Sequence, residues 1–118
     1  MPITLKRIYE EADSSDGYRI LVDRLWPRGL SKEKAKVDEW MKEVAPSNEL
    51  RKLFHGGELA WAEFEKQYRE ELETHLGELR TLAERAKTLK VTLLYSSKNS
   101  EQNNATVLKE YLESMNGE

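Results

Sequence analysis

Apolar residues recur along this chain with changing spacings, and each spacing calls for a different element. Near the N-terminus a partly alternating run from Ile3 to Tyr9 reads as a strand. So does Tyr18 to Leu25, whose centre Ile20-Leu21-Val22 is continuously apolar. The segment between them, Asp13-Ser14-Ser15-Asp16-Gly17, has the composition of a turn. A third run, Lys90 to Tyr95, holds Val91-Thr92-Leu93-Leu94 without polar alternation. That pattern fits a strand covered on both faces, as in a parallel or mixed sheet.

Between the second and third strands the spacing changes to three and four residues. Val37, Trp40, Met41 and Val44 fall on one face of a helix that Ser31 would cap and Pro46 would stop. A short helix is predicted from Ser47 through Phe54, with Leu50, Leu53 and Phe54 as its apolar side and Gly56-Gly57 as its end. The longest helical stretch covers about Glu58 to Ala86, marked by Trp61, Phe64, Tyr68, Leu72, Leu76, Leu79 and Leu82, with Gly77 as its point of interruption. A last helix carries Ala105, Leu108, Tyr111, Leu112 and Met115. Its expected cap lies near Asn99, with Gln102 three residues on as in a capping box, and Asn116 to Glu118 should fray.

The order strand, strand, helices, strand, helix predicts a small single-domain α/β layered fold over residues 1–118. Its sheet is expected to be short, three-stranded and parallel or mixed, flanked by about four helices. If the second and third strands pair in parallel, the helices between them are the crossover and the two carboxyl ends share one edge. Ligands of open α/β sheets sit outside those ends. Asp23 to Gly29 and Tyr95 to Asn99 are therefore expected to be neighbours where a site forms.

Composition narrows the chemistry. A chain of 118 residues with 38% hydrophobic positions supports one core and hence one main site. It has no cysteine, which removes disulfides, thiolate nucleophiles, Cys-ligated zinc and iron–sulfur clusters. No run approaches the roughly 20 apolar residues of a membrane helix, and the N-terminus lacks the apolar stretch of a signal peptide. A cytoplasmic protein with no membrane partner is expected. Nineteen basic and 22 acidic residues give a net charge of −3, which opposes broad binding to nucleic acid but leaves room for a local basic patch. His55 and His75 lack a ligand partner at i+4, so no metal site is expected. His75 reads as a solvated residue, and His55 either caps a helix or reaches the site. The stretch Glu63 to Glu73 reads as a solvated face, and Trp61, Phe64 and Tyr68 as core.

The segment with most chemistry is Asp23-Arg24-Leu25-Trp26-Pro27-Arg28-Gly29. Guanidinium groups match carboxylate or phosphate oxygens in pairs, and an indole face stacks on flat groups. Arg24, Trp26 and Arg28 are therefore ligand-binding candidates, with Asp23 orienting. Taken one at a time, they read more simply as a local ion pair beside a packed Trp26, and only together as a site. The turn Ser96-Ser97-Lys98-Asn99 leads into a helix, whose first N–H groups attract anions, so Ser96, Ser97 and Lys98 would complement the arginines. Ordinary capping by Ser97, Asn99 or Ser100 explains the same residues. Asp23, Tyr9, Tyr95 and Lys98 are the acid–base candidates. No motif indicates a cofactor.

Lys6-Arg7-Ile8-Tyr9-Glu10, Val22 through Gly29, Ala45-Pro46-Ser47 with Leu50-Arg51, and Thr92-Leu93-Leu94-Tyr95 with Lys98 and Asn103 resemble the YeaO-like family of bacterial proteins, a domain of unknown function. The resemblance covers nearly the whole chain and implies no particular reaction. It adds Arg51 and Asn103 to the ligand-binding candidates. Members of that family often carry histidines around the positions of Gln102 and Asn104, and a His-Asp-Pro element where this chain reads His55-Gly56-Gly57-Glu58. What remains here suits holding an anion better than moving protons.

Three readings follow. The first is a domain that binds, and in its fuller form acts on, a small anionic or phosphorylated molecule. The second is a structural or protein-interaction domain in which the polar loop is an internal network. The third is a nucleic-acid module, which the acidic balance opposes.

Overall fold

The computed structural model describes residues 3–117. Four strands, β1 (Ile3–Arg7), β2 (Tyr18–Leu21), β3 (Glu39–Trp40) and β4 (Val91–Tyr95), form one sheet in the order β1-β4-β2-β3. Every pairing is parallel, with Leu5 opposite Leu93, Ile20 opposite Leu93 and Leu21 opposite Trp40. The helices are α1 (Lys32–Ala35), α2 (Asn48–His55), α3 (Trp61–Leu72), α4 (Leu76–Thr88) and α5 (Asn104–Met115).

The sheet is covered on both faces, as the unbroken apolar run of β4 predicts, and all five β4 residues are buried. Because side chains alternate across a strand, Ile20, Val22, Val91, Leu93 and Tyr95 enter the main core. There they meet Leu72, Leu79, Leu82, Leu108 and Leu112 from the long helices. Leu21 and Leu94 face the other way, into a smaller cluster with Ile8 and Ala35, packed beneath Trp26, Leu30, Val37 and Trp40.

The sheet has four strands where three are predicted, because the helix expected through Val37, Trp40, Met41 and Val44 does not form. Ser31 does cap a helix, its hydroxyl accepting from the Lys34 N–H, but α1 ends after one turn at Lys36, which is left-handed with φ 49°. The chain then runs along the sheet edge as β3. Val37 and Trp40 pack on the smaller cluster while Met41 and Val44 enter the main core, a division between two faces that a single helix stripe cannot make. Glu39 ties this edge strand down by accepting from the Tyr18 hydroxyl at 2.9 Å and from Arg85 on α4 at 3.0 Å.

Two other boundaries move. The long helical stretch breaks at a 3₁₀ turn, Glu73–His75, and not at Gly77. The Thr74 hydroxyl bonds back to the Glu71 carbonyl, and His75 leaves helical geometry at φ −123°, ψ 33°. The capping box of α5 is Asn103 with Thr106, not Asn99 with Gln102. Asn99 instead accepts from the N–H groups of Glu101 and Gln102, shaping the approach. Of the tail expected to fray, Glu118 lies outside the described residues, and Asn116 is tethered by a bond to the Ala83 carbonyl.

At the start of β2, Asp16 and Arg19 are both buried and paired, and Lys6 adds a second cation to Asp16 at 3.1 Å. Arg19 also donates to the carbonyls of Ala35 and Lys36, so the pair fastens β2 to the end of α1. Gly17, at φ 68°, passes so close to Lys90 that a Cβ would lie 2.5 Å from its carbonyl oxygen. No helix among the described residues is long and apolar enough to cross a membrane.

Candidate functional site

A cleft of about 630 Å³ opens at the carboxyl ends of β1, β2 and β4. Arg7, the last residue of β1, lines it together with the loop Asp23 to Arg28 after β2 and Ser96 to Lys98 after β4. Helix α2 contributes Arg51, Phe54 and His55, α3 contributes Phe64, and Gln102, Asn103 and Asn104 bring in the start of α5. The two loops expected to be neighbours are thus in contact, because β2 and β4 pair in parallel.

Much of the polar lining is already committed to protein partners. The Asp23 carboxylate accepts from the Ser96 N–H at 2.9 Å, the Ser96 hydroxyl at 2.7 Å and the Asn104 amide at 3.1 Å. It pairs with neither Arg24 nor Arg28, contrary to the simplest structural reading of the loop. Arg24 donates to the carbonyls of Pro46 and Ala45, ahead of α2. Trp26 is half-buried, its indole N–H donating to the Leu30 carbonyl at 2.7 Å and its ring meeting Trp40 edge-on at 5.4 Å. The Tyr9 hydroxyl donates to the Arg28 carbonyl, and Asn103, buried, caps α5 and donates to the Asn99 carbonyl. The Ser97 hydroxyl accepts from the Asn99 N–H.

The remaining groups are cationic. Arg7 spends its Nε on the carbonyls of Ser96 and Ser97, which leaves its two terminal nitrogens without a hydrogen bond among the described residues. Arg28 and Lys98 are exposed on the rim, and their side chains make no hydrogen bond among the described residues. The Nε of Arg51 is buried and has no hydrogen-bond partner among the described residues. Burying such a donor unsatisfied costs about 1–3 kcal/mol or more when it is charged. Five basic side chains line the cleft against one carboxylate, Asp23, so the local field is positive although the whole chain carries −3. The N-terminal end of α5 adds its dipole with the same sign.

Tyr95 falls outside the cleft. It is buried in the main core, where burial, ahead of the nearby Glu10 carboxylate, pushes its hydroxyl above the ordinary tyrosine range. Alternation along β4 explains this, since Tyr95 shares a face with Leu93 and not with Leu94. Asp23, Tyr9 and Lys98, the other acid–base candidates, do line the cleft, as do Arg24, Trp26, Arg28, Arg51, Ser96, Ser97 and Asn103. His55 does so too, from the last turn of α2, while His75 lies beside Glu78. Arg7, Phe54, Phe64 and Asn104 were not among the predicted site residues. Arg7 escaped the edge rule because the first strand is expected to run on to Tyr9, whereas it ends at Arg7. No three His, Asp or Glu side chains converge as a metal site among the described residues.

A family model described as "Inactive DUF488-N3 subclade" matches residues 2–117. The chain is 54% identical to the "Uncharacterized protein YeaO" of Escherichia coli over 115 residues, 98% of this chain and all of that one. It is 39% identical to an uncharacterized protein of Mycobacterium tuberculosis over 112 residues, 93% of this chain and 92% of the relative. No solved structure matches it.

Proposed function

Because the chain belongs to the YeaO-like DUF488 family, in the subclade described as inactive, we propose that its cleft binds a small anionic or phosphorylated molecule without transforming it. The observation that carries this reading is Arg51, which lines the cleft and has a buried guanidinium nitrogen with no partner among the described residues. An anion's oxygen supplies the missing acceptor. Arg7, Arg28 and Lys98 surround it with further charge. The acid–base side is weak. The resemblance implies histidines around the positions that Gln102 and Asn104 hold here, and the Asp23 carboxylate is held by three donors, which leaves it poorly placed to move a proton.

A second reading, a purely structural domain, draws on the bonds that Asp23, Arg24, Trp26 and Asn103 make within the protein. Titrating the protein with inorganic phosphate at physiological salt, followed by NMR, separates the two. Binding gives saturable shifts confined to residues 23–29, 51 and 96–103, and Arg51→Ala abolishes them while the spectrum stays dispersed. A spectrum that does not respond to phosphate leaves the structural reading.

A further inference from the structure

We infer that the cleft selects a molecule with a flat aromatic body and a doubly charged anionic group, an inference that rests on the binding reading above. Three observations lead there. The first is the pairing of chemistries on α2. Arg51 and Phe54 both line the cleft and lie three residues apart, so they are neighbours on one helix face. Phe54 stacks on Phe64 with centroids 4.4 Å apart and planes 24° apart, and Phe64 also lines the cleft. A wall of two phenyl rings therefore stands beside the unpartnered guanidinium. Leu25 and Pro27 extend the apolar lining.

The second observation is charge. Arg24 and Asp23 are occupied by protein partners, which leaves Arg7, Arg28, Arg51 and Lys98 as four uncommitted cations along one cleft. A single negative charge leaves most of their repulsion in place, whereas a dianion offsets far more of it at the same desolvation distance. The third is size. At about 630 Å³ the cleft is in the range that encloses a drug-sized ligand, so a bare phosphate leaves most of it to water.

Phenyl phosphate, inorganic phosphate and benzoate are the discriminating probes, titrated by NMR against the intact protein. Phenyl phosphate is expected to bind about tenfold more tightly than either of the others, the return on one stacked ring and on one further charge. Phe54→Leu keeps an apolar side chain and removes the ring. It should bring the ratio of phenyl phosphate to inorganic phosphate affinity from about tenfold to about one, with dispersion of the spectrum verifying the fold. Equal affinity for phosphate and phenyl phosphate overturns the aromatic selection while the anion site stands. Equal affinity for benzoate and phenyl phosphate overturns the charge selection in the same way. Silence with all three probes overturns the binding reading itself.

Discussion

Asp23 and Ser96, 73 residues apart in the chain, are joined twice: one carboxylate oxygen takes both the backbone N–H and the hydroxyl of Ser96. The other oxygen takes the Asn104 amide, whose nitrogen also donates to the Val22 carbonyl. One side chain thus holds together the loop after β2, the loop after β4 and the start of α5. Asp23→Ala strands three donors in a half-buried place, and an unsatisfied polar group costs about 1–3 kcal/mol. A loss of about 2 kcal/mol in urea unfolding is expected, and a change within about 0.5 kcal/mol would falsify this role.

Arg24 and Arg28 are four residues apart and should behave as opposites. The Arg24 guanidinium serves the carbonyls of Ala45 and Pro46, both residues buried, so Arg24→Ala is expected to lower stability by about 2 kcal/mol. Arg28 is exposed, and only its backbone carbonyl is bonded, by Tyr9. Arg28→Ala is expected to leave the unfolding midpoint nearly unchanged and to weaken phosphate binding by about two- to fivefold, the size of one exposed charge pair. Thermal unfolding and the phosphate titration, run on both variants, would contradict the assignment if the two effects were exchanged.

Asp16 gives the fold an acid sensitivity. Burial alone would raise its carboxyl, but the Asp13 backbone N–H, Lys6 and Arg19 outweigh burial and hold it below the ordinary carboxylate value. A carboxyl depressed in the folded state contributes stability that is fully present above its unfolded value, about 3.9, and is lost as pH falls through the folded value. Stability measured by denaturant is therefore expected to be level near neutrality and to fall below about pH 4. Asp16→Asn should flatten that decline. It also leaves Arg19 buried without its counter-ion, so stability at neutral pH should drop by about 3 kcal/mol. A variant that keeps the wild-type acid profile would assign the sensitivity to other carboxylates.

What the sequence disclosed is what local chemistry decides. The apolar run Val91 to Leu94 reads as a strand buried on both faces, and the helix expected from Ser47 through Phe54 forms as α2, with the Ser47 hydroxyl capping it by accepting from the Leu50 N–H. The edge rule alone brings the loop of Asp23 beside that of Ser96. Glu39 and Trp40 were not legible as a strand. A two-residue edge strand has no periodicity, and what holds it is remote, namely Tyr18 and Arg85. Nor does the string Arg24 to Arg28 reveal which guanidinium is spent. That depends on where Ala45 and Pro46 arrive, some twenty residues later. Phe54 reads as part of the apolar side of its helix, and it both packs against the main core and lines the cleft, a double role that spacing does not show.

The strand order β1-β4-β2-β3 also bears on how the chain is made. The centre of the sheet is its last strand to leave the ribosome. When everything up to Lys90 has been delivered, β1 and β2 exist without the neighbour they share, and only β2 and β3 have each other. A nascent chain of that length therefore has no smaller version of this fold to occupy. Translation stopped before Val91 yields an exposed, unpaired intermediate of the kind that chaperones and proteases recognise. The cleft, walled by the loops on either side of that missing strand, comes into being only with the final quarter of the protein.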